Sequence, residues 1–247
     1  MCEDWVKLRN TNKKDTNMIK KKPDKQRHLY PAILTDSLKQ VRAELDAVGE
    51  IEGIEVFQVD VIDGNFADNL TVTPVDLTEI DFGQEQIDLH LMVEEPLDYV
   101  YEAIGHKDAL PIRAVIAQVE KMSHQRPFIE EVKQNQWKVG LSLDLYTPLE
   151  SIDEASWEEI NIIQLMGIEA GFQGQKFHQS ILFKLEELRQ LLKKHNRNPE
   201  IVVDGGVKFD NLQPLLDAGA DSVVIGSGLW NSDNAREAVG KFLAVLD

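Results

Sequence analysis

Short apolar runs alternate with longer segments of helical periodicity along most of the chain. From Tyr30 onward there are eight runs of four to seven residues that are rich in Val, Ile and Leu. Such runs are typical of strands that are buried on both faces of a parallel sheet. Between them, apolar residues recur every three or four positions, as at Leu38, Val41 and Leu45. The pattern predicts eight consecutive strand–helix units.

Eight units within residues 30–247 predict an α/β fold, specifically a (β/α)8 TIM barrel. A doubly wound open sheet is the alternative, and it is less favoured because no Gly-x-Gly-x-x-Gly follows the first strand. The strands are predicted at 30–34, 56–62, 87–93, 114–119, 139–143, 162–168, 200–203 and 222–225. The helices are predicted at 37–48, from Pro96, at 127–136, as a short one from Pro148, and at 179–195, 211–218 and 234–245.

The charge distribution sets the first 29 residues apart. They hold nine basic and four acidic residues, which gives a local charge of +5. Because the whole chain has a net charge of -17, the remaining residues carry -22. We expect residues 1–29 to be a flexible basic extension and the barrel to span residues 30–247. The alternative is a basic arm for a polyanion or for the acidic body of a neighbouring subunit. The acidic body itself argues against nucleic acid and anionic membranes as partners.

The composition restricts the class of protein further. An apolar fraction of 43% is ordinary for a globular chain. The lone cysteine, Cys2, excludes an internal disulfide framework and a multi-cysteine zinc site. No apolar stretch has the length of a transmembrane helix or the form of a secretory signal, so a cytoplasmic location is expected.

Three ionisable residues interrupt the apolar strands or follow them. Asp60, His90 and Asp204 belong to three different predicted strands, near the carboxyl ends at which barrel enzymes carry their active sites. A buried carboxylate without a partner costs several kcal/mol, and a Zn, Fe, Mn or Co ion bound by all three would remove that cost. Each residue also has a structural alternative, as a helix cap or a hydrogen-bonded core residue. For Asp63, which precedes Gly64, a turn role is at least as plausible as catalysis.

Glycines follow the last three predicted strands. Barrels often bind phosphate with these loops, because glycine lets several backbone N–H groups approach one anion. The candidate phosphate-binding residues are Gly171, Gln173, Gly174, Gly205, Gly206, Gly226 and Ser227.

The motifs resemble those of ribulose-phosphate 3-epimerases through most of residues 30–247. Shared segments are Val-Asp-Val-Ile-Asp-Gly-Asn-Phe at 59–66, Asp-Leu-His-Leu-Met-Val at 88–93 and Val-Asp-Gly-Gly-Val at 203–207. Gly-Phe-Gln-Gly-Gln-Lys-Phe at 171–177 and Ala-Gly-Ala-Asp at 218–221 also match in order and spacing.

The resemblance implies an isomerase that interconverts D-ribulose 5-phosphate and D-xylulose 5-phosphate. Asp60 and Asp204 match the two aspartates that exchange protons with opposite faces of the substrate. Asp60, His90 and Asp204 match ligands of a divalent metal that stabilises the enediolate. Met92 and Met166 match methionines that cap it, although a core-filling role is equally compatible with their positions. A homo-oligomer is expected from the same resemblance.

The chain departs from the family pattern at the active-site end. Gln58 replaces a histidine ligand, which makes it a doubtful metal ligand, and Gln118 replaces a histidine on strand four. Ala32 replaces a serine, Ile62 a methionine, and both the 144–148 loop and Gln173 differ as well. Three hypotheses remain: an epimerase with an altered metal site, an epimerase of another ketose phosphate such as a hexulose 6-phosphate, or a catalytically weak barrel that binds a sugar phosphate.

Overall fold

The fold is a closed barrel of eight parallel strands, described over residues 27–246 by a computed structural model. Neighbouring strands follow the order of the chain, and β1 pairs with both β2 and β8 to close the sheet. The predicted (β/α)8 class is therefore confirmed. The strands are β1 (His28–Ile33), β2 (Val56–Ile62), β3 (Gln86–Met92), β4 (Ile112–Gln118), β5 (Lys138–Leu143), β6 (Ile162–Met166), β7 (Glu200–Asp204) and β8 (Ser222–Ile225).

Helices connect successive strands on the outside of the barrel. They are α1 (Leu38–Val48), α2 (Pro74–Leu77), α3 (Pro96–Gly105), α4 (Gln125–Gln134), α5 (Ser180–Lys194), α6 (Phe209–Ala218), α7 (Ser227–Trp230) and α8 (Ala235–Leu246). The connection from β5 to β6 contains two 3₁₀ turns, Leu149–Ser151 and Glu154–Ser156. The short helix predicted from Pro148 is therefore a 3₁₀ turn.

Most other differences from the predicted elements lie at their ends. The strand β1 begins at His28, two residues before the predicted start, and β6 ends at Met166 rather than at residue 168. The helix α4 is displaced by two residues toward the N-terminus of the chain. The helices α2 and α7 were not predicted, because four residues are too few to show a helical period. The predicted basic extension falls almost entirely outside the described residues, so its boundary stays a prediction.

The barrel has an inner core that is separate from the packing between strands and helices. Eight buried residues fill the middle of the barrel: Tyr30, Ala32, Val56, Ala114, Ile116, Ile162, Val202 and Val224. Gly140 on β5 makes room for one of them, since a Cβ there would lie 2.5 Å from Cγ1 of Ile116. A much larger apolar cluster joins the outer faces of the strands to the helices. Burial of these two clusters is the main driving force for folding.

Charged residues close the amino-terminal end of the barrel. The Nε atom of Arg113 donates to Oδ1 of Asp88 at 2.8 Å, and a second guanidinium nitrogen pairs with the same carboxylate. Arg113 Nη1 donates to the Tyr30 hydroxyl at 3.0 Å, and that hydroxyl donates to Glu200 Oε1 at 2.6 Å. The cluster thus links strands β1, β3, β4 and β7. Its side chains are largely buried, so each depends on the others for its polar contacts.

Within residues 27–246, no helix combines the length and the hydropathy that crossing a membrane requires.

Replacing Arg113 by Met is expected to lower the free energy of unfolding by about 3–5 kcal/mol, because it leaves the buried Asp88 carboxylate unpaired. Chemical denaturation measures this change. The control is Lys241→Met, which removes an exposed pair with Glu237 and should cost less than about 1 kcal/mol. Equal losses in the two variants would contradict the structural role of the cluster.

A buried glutamate on α1 makes stability depend on pH. The Oε1 atom of Glu44 accepts a hydrogen bond from Gln40 at 2.8 Å, whereas Oε2 has no partner among the described residues. Burial raises the pKa of Glu44 to about 7, against the opposing effect of that hydrogen bond. Ionisation therefore costs the folded state more than the unfolded chain, and the cost accumulates as the pH rises from about 5 to above 7.

Glu44→Gln is expected to raise the midpoint of thermal unfolding much more at pH 8 than at pH 5, since at pH 5 the folded carboxyl is neutral and only a small part of the cost of its ionisation has accumulated. Thermal scans at the two pH values test this. Glu52→Gln, the same change on an exposed side chain, serves as the control. A gain for Glu44→Gln that is as large at pH 5 as at pH 8 would rule out ionisation as its cause.

Candidate active site

The three ionisable residues singled out from the sequence meet inside the carboxyl-terminal end of the barrel. Asp60 on β2 and His90 on β3 are direct neighbours across the strand pair. Asp204 is the last residue of β7 and pairs with Met166 on β6. Side chains alternate along a strand, so residues at inward positions converge on the barrel axis. All three residues are buried, His90 completely.

His90 lies between the two carboxylates. Its Nδ1 atom is 3.0 Å from Oδ1 of Asp60 and 3.4 Å from Oδ2 of Asp204. One ligand atom from each of the three residues can be chosen so that all lie within 4.8 Å of one another. Two carboxylates and an imidazole are ligands that Zn, Fe, Mn and Co accept. The residues present therefore fit a divalent cation at this position.

Two glutamine amides complete the cluster. Gln58 Nε2 donates to Asp60 Oδ1 at 2.8 Å and to Asp204 Oδ2 at 2.7 Å. Gln164 Nε2 donates to the same oxygen of Asp204 at 3.0 Å, while its Oε1 has no partner among residues 27–246. The two carboxylates are thus held by neutral donors as well as by the imidazole.

The protonation of the cluster follows from its burial and from its charges. Burial raises the pKa of Asp60, and the neighbouring charge of Asp204 adds to this, while hydrogen bonding to His90 acts in the opposite direction. Burial alone would lower the pKa of His90, but the hydrogen bonds and charges of Asp204 and Asp60 outweigh it and raise that pKa to about 9. Without a cation, the imidazole is therefore positively charged at neutral pH.

The far side of His90 is fixed by Gln118, at the end of β4. When the Gln118 amide is oriented so that both of its atoms are satisfied, Oε1 accepts from His90 Nε2 at 3.2 Å and from Ser142 Oγ at 3.1 Å. In the same orientation, Gln118 Nε2 donates to Glu120 Oε2 at 2.8 Å. Because His90 Nε2 donates to Gln118, Nδ1 is the imidazole atom that faces the carboxylates.

The glycine-rich loops after the last three strands lie against the same centre. Together with Met92, Met166 and Asp204, they line one cavity of about 30 Å³. The cavity includes every residue that the sequence suggested for phosphate: Gly171, Gln173, Gly174, Gly205, Gly206, Gly226 and Ser227. Gly205 has a φ of 92°, and a Cβ there would lie 2.4 Å from Cγ1 of Ile168, so this turn requires glycine.

The loop after β6 covers this cavity. A Cβ on Gly226 would lie 2.6 Å from Nε2 of Gln173, which means that the glutamine side chain rests on the backbone of the loop after β8. The loop is also tied to the loop after β2, because Asn69 Nδ2 donates to the Gly171 carbonyl at 3.0 Å. The contact of Gln173 with Gly226 thus leaves a narrow cavity in this arrangement.

Asp63 and Tyr146, a residue of the 144–148 loop that departs from the family pattern, lie outside the centre. Asp63 has the turn role: its carboxylate accepts from the backbone N–H groups of Asn65, Phe66 and Glu94. Partial burial would raise the pKa of Asp63, but these hydrogen bonds lower it overall. Tyr146 is exposed and makes an edge contact with His178, away from the lining of the cavity. Tyr146 therefore does not shape the covered cavity.

Gln164 is the member of the centre that the sequence interpretation missed. It stands in the apolar run Ile-Ile-Gln-Leu-Met, two residues before Met166. A polar residue at the inward position of an otherwise apolar barrel strand is the same signal that identified Asp60 and His90. The roles of Ser142 and Glu120, by contrast, depend on contacts between strands and have no such signal.

Comparison with known proteins identifies the family and agrees with the fold. A sequence model of the ribulose-phosphate 3-epimerase family matches residues 28–230. The ribulose-phosphate 3-epimerase of Synechocystis is 32% identical over 210 residues, covering 85% of this chain and 90% of that protein. The enzyme of the same name from Escherichia coli K12 is 30% identical, covering 90% and 97% of the two chains. The chain belongs to the ribulose-phosphate 3-epimerase family, and it is a carbohydrate-phosphate epimerase, an isomerase.

Solved structures with low sequence identity share the fold. A 3-hexulose-6-phosphate synthase from Salmonella typhimurium superposes with a TM-score of 0.60 at 15% identity, covering 89% of this chain and 98% of that chain. A tryptophan synthase alpha-subunit from Pyrococcus furiosus gives 0.63 at 15% identity, covering 90% and 98%. These likenesses support the barrel architecture.

Gln118→Leu is expected to weaken the binding of a divalent cation by about 10–100-fold, the usual effect of losing a residue that orients a metal-ligating histidine. Competition with a chromophoric chelator measures the dissociation constant. Ser142→Ala, which removes a donor to Gln118 but leaves the contact with His90, should have the smaller effect. Wild-type affinity in Gln118→Leu would show that His90 does not need this support.

Proposed function

We propose that the protein interconverts D-ribulose 5-phosphate and D-xylulose 5-phosphate by proton transfer at the carbon beside the carbonyl. The observation that carries the proposal is the placement of Asp60 and Asp204. They come from β2 and β7, which are three strand positions apart around the barrel, and their carboxylates converge on one buried point. Inversion of a stereocentre needs an acid and a base on opposite faces of the carbon, and this arrangement suits that requirement.

The two aspartates would act in sequence. One carboxylate takes the proton from one face of the substrate carbon, and the carboxylic acid of the other delivers a proton to the opposite face. In the reverse reaction their roles exchange, so each residue must be able to hold a proton. Burial, which raises the pKa of Asp60, supports such a role, because it favours the neutral acid.

Asp60, His90 and Asp204 would hold the divalent cation. When bound, such an ion supplies positive charge that stabilises the anion left when the proton departs. The chain itself orients the imidazole through Gln118 and keeps bulk water away from the carboxylates by burying them. Met92 and Met166 contribute apolar surface to the wall of the cavity. Such a surface favours contact with the carbon skeleton of the planar intermediate and disfavours bound water.

The phosphate would be bound by the loops after β6, β7 and β8. Their glycines allow backbone N–H groups to approach an anion closely, so a phosphate can bind in a strongly acidic protein without a basic side chain. A cavity of about 30 Å³ is far smaller than a pentulose phosphate. The proposal therefore requires that the loop after β6 open, with Gln173 leaving its place against Gly226.

A ketose phosphate of another length is the second candidate, and Gln173 is the observation that favours it. Its side chain occupies space beside the phosphate loops and so affects how far the phosphate can lie from the reacting carbon. The third hypothesis, a barrel that only binds a sugar phosphate, is less favoured. A binding protein has no need for two converging buried carboxylates, which cost free energy to bury.

Asp60→Asn and Asp204→Asn are each expected to lower epimerisation by at least about 10²–10⁴-fold, the usual contribution of a general acid or base. The assay follows epimerisation and the exchange of solvent deuterium at the reacting carbon, over a panel of pentulose and hexulose phosphates. Asp217→Asn, on the exposed face of α6, is the matched control.

The outcomes of this assay separate the hypotheses. Turnover of ribulose 5-phosphate alone supports the proposal, and preferred turnover of a hexulose phosphate supports the second candidate. If neither variant loses activity, the assignment of the two aspartates is wrong. If the wild-type protein exchanges no deuterium with any sugar phosphate of the panel, the proposal is contradicted and the third hypothesis is favoured.

A further inference from the structure

Gln58 places its amide nitrogen beside the three metal-ligating atoms, as a fourth corner of the group. Nε2 is 2.8 Å from Asp60 Oδ1, 2.7 Å from Asp204 Oδ2 and 3.3 Å from His90 Nδ1. The side chain is almost completely buried. An amide nitrogen carries two hydrogens and no lone pair for a cation. In this orientation Gln58 can satisfy both carboxylates, but it cannot bind a metal.

The same side chain has a second orientation at small conformational cost. Rotation by half a turn about the last side-chain bond exchanges the oxygen and the nitrogen without moving the backbone, and this torsion has a broad, nearly two-fold profile. The rotated Oε1 would face two carboxylate oxygens, which is repulsive when nothing lies between them. With a cation between them, the same oxygen becomes a ligand. Whether a cation is present thus decides which orientation is more stable.

We propose that Gln58 has two roles: its N–H groups bridge Asp60 and Asp204 when no cation is bound, and its carbonyl oxygen is a fourth, neutral ligand when one is. The inference rests on the proposed function only in assuming that Asp60, His90 and Asp204 bind a divalent cation. It does not depend on which sugar phosphate is the substrate.

Two consequences follow for the protein. The metal-free form is stabilised by the amide bridge, so loss of the cation does not leave two buried carboxylates facing each other. The metal-bound form has a largely oxygen ligand set, since an amide oxygen joins two carboxylates and one imidazole. Carboxylate and carbonyl ligands suit Mn²⁺, whereas imidazole suits Zn²⁺ and Fe²⁺. Gln58 should therefore favour Mn²⁺ relative to Zn²⁺ more than an imidazole at the same position would.

Substitutions of Gln58 separate the two roles. Gln58→Leu removes the donors and the acceptor, and Gln58→Glu keeps an acceptor but adds a third carboxylate. Gln58→His offers an imidazole. The matched control is Gln125→Leu, a buried glutamine whose amide bonds to the Ser151 carbonyl and the Asp153 N–H instead. For each protein at pH 8, thermal unfolding without metal and the dissociation constants for Mn²⁺ and Zn²⁺ are measured, the latter by calorimetry or chelator competition.

Metal-free stability and metal affinity should fall together in Gln58→Leu but change in opposite directions in Gln58→Glu. Gln58→Leu should be less stable without metal and bind both ions at least about tenfold more weakly. Gln58→Glu should be still less stable without metal, yet bind both ions more tightly than the wild type. Gln58→His should gain more affinity for Zn²⁺ than for Mn²⁺. Gln125→Leu should lose stability while keeping the wild-type dissociation constants.

Several results would overturn the inference. Unchanged metal-free stability in Gln58→Leu and Gln58→Glu would exclude the bridge. If the dissociation constants of Gln58→Leu are then also within twofold of the wild type, the ligand role is excluded as well. If Gln58→Leu does not fold, Gln58→Glu decides: metal must raise its unfolding temperature more than it raises that of the wild type. Failure of the proposed function is distinct, since it would show as normal metal binding without turnover of any sugar phosphate.

Discussion

Two carboxylates buried at one point are the constraint on which the upper half of the barrel depends. Asp60 and Asp204 cannot be taken out of water together unless positive charge or hydrogen-bond donors surround them. His90 supplies the charge, and the amides of Gln58 and Gln164 supply the donors. These residues come from four strands, so the position of each strand is tied to the same electrostatic centre.

The two ends of the barrel meet the cost of buried charge in different ways. At the amino-terminal end, Arg113 pairs with Asp88 in a closed cluster that has little contact with water. At the other end, one imidazole serves two carboxylates, and the remaining demand is met by neutral amides. The first arrangement is complete in itself. At the carboxyl-terminal end, the lone pairs of two carboxylates are directed at one point, where a cation or a proton can bind.

The sequence predicted the barrel because its strands are continuous apolar runs, and it predicted Asp60, His90 and Asp204 because they interrupt such runs. The same rule would have found Gln164 if amides had been considered with the ionisable residues. The support of His90 by Gln118 could not be predicted in this way. It depends on how β3, β4 and β5 align, with Gln118 opposite Ser142, and that register is a property of the closed sheet. The contact of Gln173 with Gly226 likewise exists only after two distant loops meet.

The apolar layer in the middle of the barrel separates the acids from solvent at the opposite end. On β7, the buried Val202 lies between Glu200, which belongs to the Arg113 cluster, and Asp204. In the proposed mechanism, protons would therefore reach Asp60 and Asp204 from the mouth of the barrel, where the loop after β6 lies. A hydrogen taken from the substrate while that loop is closed would stay in the compartment in which it was released. The fraction of isotopic label that returns to the sugar rather than to water would then report how often the loop opens during one turnover.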